Sequence, residues 1–436
     1  MELLYARLQM ALTLGFHIIL ACLGVGFPVL MLFAEWRFLR TRDELWLTLA
    51  RRWSKSFAVL FAVGAVSGTV LSFELGLLWP EFMKTFSGVF GVPFALEGFA
   101  FFIEAIFLGI YLYGWDKLSS RSHFLSGIPL AIAGVASAWL VVAVNSWMNT
   151  PQGFTMLDGI VTDTDPWAAM LNPATGAQTT HMIAAAYMVT GFLIAAVYAV
   201  SILKGKSTEY NKRALILGLS LACLIAPIQI VIGHWAGTVV AKTQPVKLAA
   251  MEGQFRTEAR APLRLGGIPD ENAQVTRYAL EIPGGLSWMA YGNADSVVTG
   301  LEDFAPEDCP PVAIVHMAFQ IMVVCGCSFL VLAVWLGLMY VKKGQIQFSR
   351  MFLWLVVLAG PLSAVALETG WVVTEVGRQP WIVTGIMRTS EAVTPAPGIA
   401  WLFYVTIGIY SILAGGTILV LRKLACAPLG EKYNGS

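Results

Sequence analysis

Nine long apolar stretches dominate this chain, at 8–36, 52–80, 91–114, 124–148, 178–204, 214–240, 311–341, 352–375 and 398–422. Each can cross a hydrocarbon layer, which takes ~20 mostly apolar residues. A chain in lipid must satisfy its own backbone polar groups, so such stretches fold as helices. Several exceed the minimum and must tilt or protrude. The fold class is an all-α polytopic membrane protein with nine transmembrane helices. Charge supports this, because only 13% of residues are charged and mean hydropathy is +0.70. Soluble domains carry about 25% charged residues, so a soluble enzyme is excluded, and a disordered scaffold with it. Lys+Arg 28 against Asp+Glu 27 leaves no electrostatic footprint for nucleic acid.

Orientation follows from Lys and Arg in the short connections. Arg37, Arg40, Arg42, Arg51 and Arg52 follow the first span. Lys117 and Arg121 follow the third, Lys204, Lys206, Lys212 and Arg213 the fifth, and Lys342, Lys343 and Arg350 the seventh. Segment 149–177 has no Lys or Arg but holds Asp158, Asp163 and Asp165. The N-terminus is therefore expected outside and the C-terminus in the cytoplasm. The opening Met1-Glu2 lacks a basic region and reads as mature sequence rather than a cleaved signal. Three regions follow: helices one to six over 1–240, a polar Pro/Gly-rich extracytoplasmic loop over 241–310, and helices seven to nine with a cytoplasmic tail over 311–436. A loop of that length without obvious periodic structure is uncommon and often functional.

The six cysteines, Cys22, Cys223, Cys309, Cys325, Cys327 and Cys426, form no disulfide framework. CxxCH is absent, which argues against covalent c-type heme, and no four-Cys set suits zinc or iron–sulfur.

Ionisable groups inside spans are costly and mark functional sites by default. Glu97 and Glu104 lie seven apart on the third span, two turns and about 10 Å along one face. Glu368 and Glu375 repeat that spacing on the eighth, and Glu74 stands alone late in the second. The bland reading of these acids is paired or hydrated packing between helices. The functional one is a proton path or carboxylate ligation of a metal centre. Of the five histidines, His123 reads as a solvated interfacial residue, and His234 and His316 as hydrogen-bonded structural ones. His17 and His181 fall with Glu97, Glu104, Met322 and Glu375 in the outer half, a gathering toward one face. Imidazole with thioether, His181 with Met322, makes a strong-field axial pair for a low-spin, electron-transferring heme. His17 or Glu375 alone would leave an iron position open. Heme–copper oxidases and cytochrome b of the bc complexes need histidine clusters or pairs that five scattered histidines do not provide.

The stretch Glu375-Val376-Gly377-Arg378-Gln379-Pro380-Trp381, preceded by Glu368-Thr369-Gly370-Trp371, closely resembles the GRQPW signature of cytochrome bd quinol oxidase subunit I. Arg7-Leu8-Gln9 with His17, Glu97-Gly98 to Glu104 and Gly114-Trp115-Asp116 resemble it too. So do Asn145-Ser146-Trp147-Met148-Asn149-Thr150-Pro151 and Lys247-Leu248-Ala249-Ala250-Met251-Glu252. The motifs are collinear over essentially the whole chain, with nine spans as that family has.

The resemblance implies that His181 and Met322 ligate a low-spin heme b. It implies that His17 and Glu375 ligate two high-spin hemes, a heme b and a heme d, the latter replaceable by a b-type heme. Which high-spin heme sits at which ligand varies within the family. Glu97 matches an acid beside the His17-ligated heme, and Glu104 and Ser137 match residues of the proton path. Lys247 and Glu252 match quinol-loop residues, and Arg378 and Trp371 match residues around the heme pair. The implied activity is quinol oxidation at the outer face and O2 reduction to water with cytoplasmic protons, building proton motive force without a pump. Implied partners are quinol, O2, the lipid bilayer, a second integral subunit (subunit II) and a small single-span one; the implied setting is a bacterial or archaeal cytoplasmic (inner) membrane.

This sequence departs from the best-known long-loop member in four ways. The 241–310 loop is short, Gln320 replaces an arginine, Glu74 replaces an uncharged amide and so offers an extra proton site, and His316 has no histidine counterpart. The rival reading is a proton-coupled membrane transporter using the same acids at mid-membrane. It predicts no heme, gives the outer-face gathering no reason, and finds no internal repeat for support.

Overall fold

The computed structural model describes residues 2–344, 346 and 348–426. The tail expected in the cytoplasm lies outside them beyond residue 426. Helices α1 (Glu2–Thr41), α2 (Glu44–Leu78), α3 (Pro80–Tyr113) and α4 (Ser120–Asn149) come first. A hairpin of β1 (Thr155–Leu157) and β2 (Ile160–Thr162) and the short α5 (Pro166–Met170) lead to α6 (Thr175–Leu203) and α7 (Glu209–Thr243). Nine helices among the described residues are long and apolar enough to cross a membrane.

Each expected span falls on one long helix to within two residues at its ends, and most of the helices run further. The third was expected from 91 and begins at Pro80. Glu81 and Lys84 lower the local hydropathy and hide that start. Pro80 occupies the first helical turn, where its missing N–H costs nothing. The added turns are held by buried Phe82, Phe86, Val89 and Phe90, whose i, i+4, i+7, i+8 spacing makes one face. Phe86 meets Trp147 of α4 edge-on at 5.3 Å.

The connection expected to lack periodic structure is in fact built. It begins with α8 (Pro245–Glu252), closed by Gly253 in the left-handed region at φ 60°. The strands β3 (Glu258–Ala259), β4 (Leu263–Leu265), β5 (Ile268–Asp270), β6 (Val275–Arg277) and β7 (Leu280–Ile282) precede α9 (Gly285–Tyr291) and β8 (Val297–Val298). They pair antiparallel as β3 with β8, β4 with β7 and β5 with β6. Each strand is too short to show alternation in the sequence. After α10 (Val312–Lys343) and α11 (Arg350–Val376), the hairpin of β9 (Trp381–Val383) and β10 (Met387–Arg388) and α12 (Thr389–Ala392) lead into α13 (Ile399–Cys426).

The polar folded loop caps one end of the bundle, called here the loop end. The starts of α1 and α6 and the ends of α4, α7 and α11 gather there, as shown by Glu2 Oε2 accepting from Ile399 N at 3.2 Å and Met148 O accepting from Thr384 N at 3.0 Å. Large apolar residues stay exposed on the flanks, including Phe99, Phe102 and Ile106 of α3 and Ile412 of α13. Bilayer-facing helices carry such side chains without cost.

His123 corrects an expectation. It is buried rather than solvated. Its Nδ1 lies 2.7 Å from Glu35 Oε1 and its Nε2 2.8 Å from the Tyr111 carbonyl, while Tyr111 donates to Glu35 Oε2 at 2.7 Å. Glu35 arrives from α1, 88 residues away, so no local pattern announces the pair. His316 is the structural histidine expected, buried with Nδ1 2.8 Å from Met251 O and Nε2 3.1 Å from Gly266 O. His234 is not: it is exposed on α7 and makes no side-chain hydrogen bond among the described residues.

Candidate functional site

At the loop end, α8 carries the two ionisable groups that matter most outside the spans. Lys247 and Glu252 are both buried, at 4% and 5% exposure. Lys247 donates Nζ to Asn149 Oδ1, and Glu252 leaves Oε2 without a partner. Burial pulls the Lys247 ammonium down to about 7, with the Arg378 charge adding and Glu375 opposing. Burial pushes the Glu252 carboxyl up to about 7 against the nearby Arg264. Both groups are thus poised to change protonation near neutrality, the condition that general acid–base work requires.

Lys247 and Glu252 line a cavity of about 460 Å³ that also reaches His181, Met322 and Trp371. His181 has both ring nitrogens against Gln229 Nε2, at 3.3 and 3.2 Å. Glycines stand beside Met322, His181 and His17. A Cβ at Gly370 would sit 3.1 Å from Met322 Sδ, one at Gly233 3.5 Å from His181 Cε1, and one at Gly68 2.9 Å from His17 Cε1. Bare backbone beside each donor leaves room for a flat macrocycle. Trp371 lines the cavity and also packs into the cluster around Ile18 and Cys22 on α1, so it stands between the cavity and the helix of His17.

Glu375 ends α11 beside the cavity. Asn145 donates to its Oε1, and Arg378 Nη2 donates to its Oε2 at 2.5 Å. Arg378 is buried, yet its Nε and Nη1 have no partner. Buried donors are almost always satisfied, so a guanidinium with two free edges suits an anion such as a heme propionate. The donor chemistry and these orphan atoms fit a heme.

The remaining expected residues separate into two places. His17 on α1 has Nδ1 3.0 Å from Ser67 Oγ of α2. On α3, Glu97 accepts from Ser137 Oγ of α4 at 2.8 Å. Glu104 is buried against bare Gly134, where a Cβ would lie 3.4 Å from its Oε1. The acids therefore line the α3–α4 contact and are not brought onto the cavity itself. Gln320 is a staple: Oε1 accepts from Gly266 N at 3.0 Å and Nε2 donates to Arg264 O at 3.1 Å, pinning the β4 turn.

Sequence reasoning missed Asn145, Asn149, Gln229 and Ser67 as site residues. The two asparagines belong to the stretch Asn145–Pro151 and lie four apart, on one face of α4 near the loop end. Gln229 was legible only as a lone amide in an apolar span.

A bundle of membrane-crossing helices with a histidine, a methionine and titratable groups around one cavity has the parts that an intramembrane redox subunit requires. The comparisons narrow this class. Residues 5–428 match the family model described as cytochrome bd terminal oxidase subunit I. The chain is 36% identical to the putative cytochrome bd menaquinol oxidase subunit I of Bacillus subtilis (strain 168), covering 96% of each. It is 30% identical to the cytochrome bd ubiquinol oxidase subunit 1 of the same organism, over 96% of this chain and 91% of that one. It superposes on the bd oxidase from Geobacillus thermodenitrificans with a TM-score of 0.91 and 39% identity, covering 97% of this chain and 98% of that one. This chain belongs to the cytochrome bd terminal oxidase subunit I family. It is a multi-pass membrane oxidoreductase subunit of a heme-containing respiratory family whose oxidases have a second subunit.

Proposed function

We propose that this chain oxidises quinol at its loop end and that the oxidase reduces O2 to water there with protons drawn from the opposite face. The observation that carries the reading is one cavity lined by Lys247, Glu252, His181 and Met322 together, which joins a titratable pair to a histidine and a methionine. Over a full turnover two quinols give four electrons and four protons, and one O2 takes four electrons and four protons to give two waters.

His181 and Met322 would hold the low-spin heme b; His17 and Glu375 would hold the two high-spin hemes, one b and the other d or b in its place. The bound hemes supply one-electron carriers and the iron at which O2 is reduced. Glu252 accepts a quinol hydroxyl proton on the free Oε2 and passes it to the outer water. Lys247, held by Asn149, sets the charge beside the departing proton. Arg378 positions Glu375 and presents its two free N–H edges to an anionic group. Glu104, Glu97 and Ser137 relay protons along the α3–α4 contact, where acids are otherwise too costly to keep. Electrons and protons then reach the O2 site from opposite faces, and charge separates across the membrane without a pump.

In this reading residues 241–310 form the quinol loop, 1–240 hold membrane helices one to six and 311–436 hold helices seven to nine with the tail, and the chain sits in a bacterial or archaeal cytoplasmic membrane with its N-terminus outside. Its companions are the second integral subunit and a small single-span one. A dithionite-reduced minus oxidised spectrum of the purified complex, with the extracted hemes identified, tests this directly. A chlorin band beside b-type bands supports the heme d form, and b-type bands alone support an all-b form. A preparation without heme sinks the oxidase reading and returns the transporter.

A further inference from the structure

Glu74 has no role in the scheme above, and its surroundings are unusual. It lies late in α2, 3% exposed, and among the described residues no Lys, Arg or His pairs with it. Its Oε1 accepts from Gln9 Nε2 at 2.8 Å and from Thr13 Oγ1 at 3.0 Å, both on α1. Its Oε2 has no partner, nor has Oε1 of Gln9, nor the hydroxyl of Tyr410 on α13. Gln9 is 1% and Tyr410 3% exposed, so two acceptor oxygens and one hydroxyl stand in near-complete burial with no hydrogen bond made. Tyr410 stacks on Phe16 with centroids 4.5 Å apart, and Thr406 Oγ1 lies 3.5 Å from Gln9 Nε2, which closes the site from α13.

Counting donors decides what is missing. An ionised carboxylate beside an amide oxygen is a pair of acceptors with nothing between them. A carboxylic acid beside an amide is complementary. The amide N–H donates to one acid oxygen, as Gln9 does, and the acid O–H donates back to the amide oxygen. One proton on Oε2 removes an unpaired buried charge, whose cost would otherwise be prohibitive, and supplies the donor that the Gln9 amide oxygen lacks.

We propose that Gln9, Thr13, Glu74 and Tyr410 form a proton-binding site in the loop-end half of the bundle, in which Glu74 is a neutral carboxylic acid paired with Gln9. It is separate from the Glu97–Ser137–Glu104 set on α3 and α4. Glu74 stands two turns from Ser67 on α2, about 10 Å along the axis, and Thr13 one turn from His17 on α1. Loss or uptake of this proton therefore places a charge near His17 in a poorly screened setting. Coupling to a redox change there rests on His17 as an axial ligand. Protonation of Glu74 does not.

The test is infrared absorption of the intact complex in H2O and D2O, from mildly acidic to mildly alkaline pH, for wild type and Glu74→Gln. The expected difference contains one protonated-carboxyl C=O band, sensitive to D2O and lost in the variant. In Gln9→Leu the band persists but moves, because its carbonyl has lost the amide donor. Only carboxylate bands in the difference would overturn the proposal and assign a bound cation instead. A band unmoved in Gln9→Leu would overturn the pairing. Should Glu74→Gln fail to assemble, Glu74→Asp must shift the band, and an unshifted spectrum refutes the site. Normal heme spectra with no such band would sink this proposal alone; absent heme with the band present would sink only the redox reading.

Discussion

Two buried polar clusters invite comparison. At the end away from the loop, Glu35, His123 and Tyr111 use both carboxylate oxygens, both imidazole nitrogens and the phenol in bonds of 2.7–2.8 Å. At the loop end, Arg378, Lys247 and Glu252 are nearly as deeply set and Glu375 is half-buried, yet Arg378 keeps two free N–H edges and Glu252 a free oxygen. Both clusters cost desolvation. The first recovers it internally, and so is complete as a fastening between α1, α3 and α4. The second is completed only by something added, and so is organised for a ligand. Satisfaction of hydrogen bonds, more than burial, separates the structural cluster from the functional one.

The comparison can be broken most severely at His181 and Met322. His181→Ala or Met322→Leu should remove the low-spin heme and abolish quinol oxidation while the other heme bands persist; unchanged reduced spectra would refute the assignment. In the fastened cluster, Glu35→Ala leaves His123 and Tyr111 without their shared acceptor. Removing one partner of a buried pair costs ~3–5 kcal/mol, so thermal stability should fall steeply with heme bands intact in surviving protein. Heme loss at equal stability would show that this cluster also serves the redox site.

Smaller effects sharpen the loop end. Glu252→Gln or Lys247→Met should slow quinol turnover about 10²-fold, the scale of removing a proton-transferring group, with all hemes retained. The pH profile carries a sign. As pH rises through about 7, Glu252 gives up its proton and becomes able to accept one, so the rate climbs. Lys247 loses its charge over the same range, with its pKa also about 7, so the rate then falls. Wild type should show a bell centred near neutrality, and Glu252→Gln should flatten its acid limb; an unchanged limb would remove Glu252 as the base. Least of all, Gln320→Ala releases two bonds to the β4 turn, each worth about 1 kcal/mol. Quinol KM should rise about threefold to tenfold with kcat little changed.

Much of the site was legible before folding was known. His181, Met322, Lys247, Glu252 and Trp371, expected from the motifs, line one cavity, and Glu375 meets Arg378 three residues on. Pairs of that kind are written within a turn or two of helix, where spacing is geometry. Asn145 reaching Glu375 across 230 residues was not legible, nor was Asn149 reaching Lys247 across 98. The loop's hairpins were hidden because strands of two or three residues carry no periodicity.

The apolar stretches alone determined nine membrane helices, and the placing of Lys and Arg set the expected orientation. These rest on transfer of each residue between water and lipid, a local quantity that sums along the chain. Only the tertiary structure decided that His123 is a buried fastener, that Gln320 staples the loop and that Glu74 faces Gln9. Each of those depends on a partner delivered by helix packing from a distant part of the chain, and the fate of a buried charge is set by that partner rather than by its neighbours in sequence.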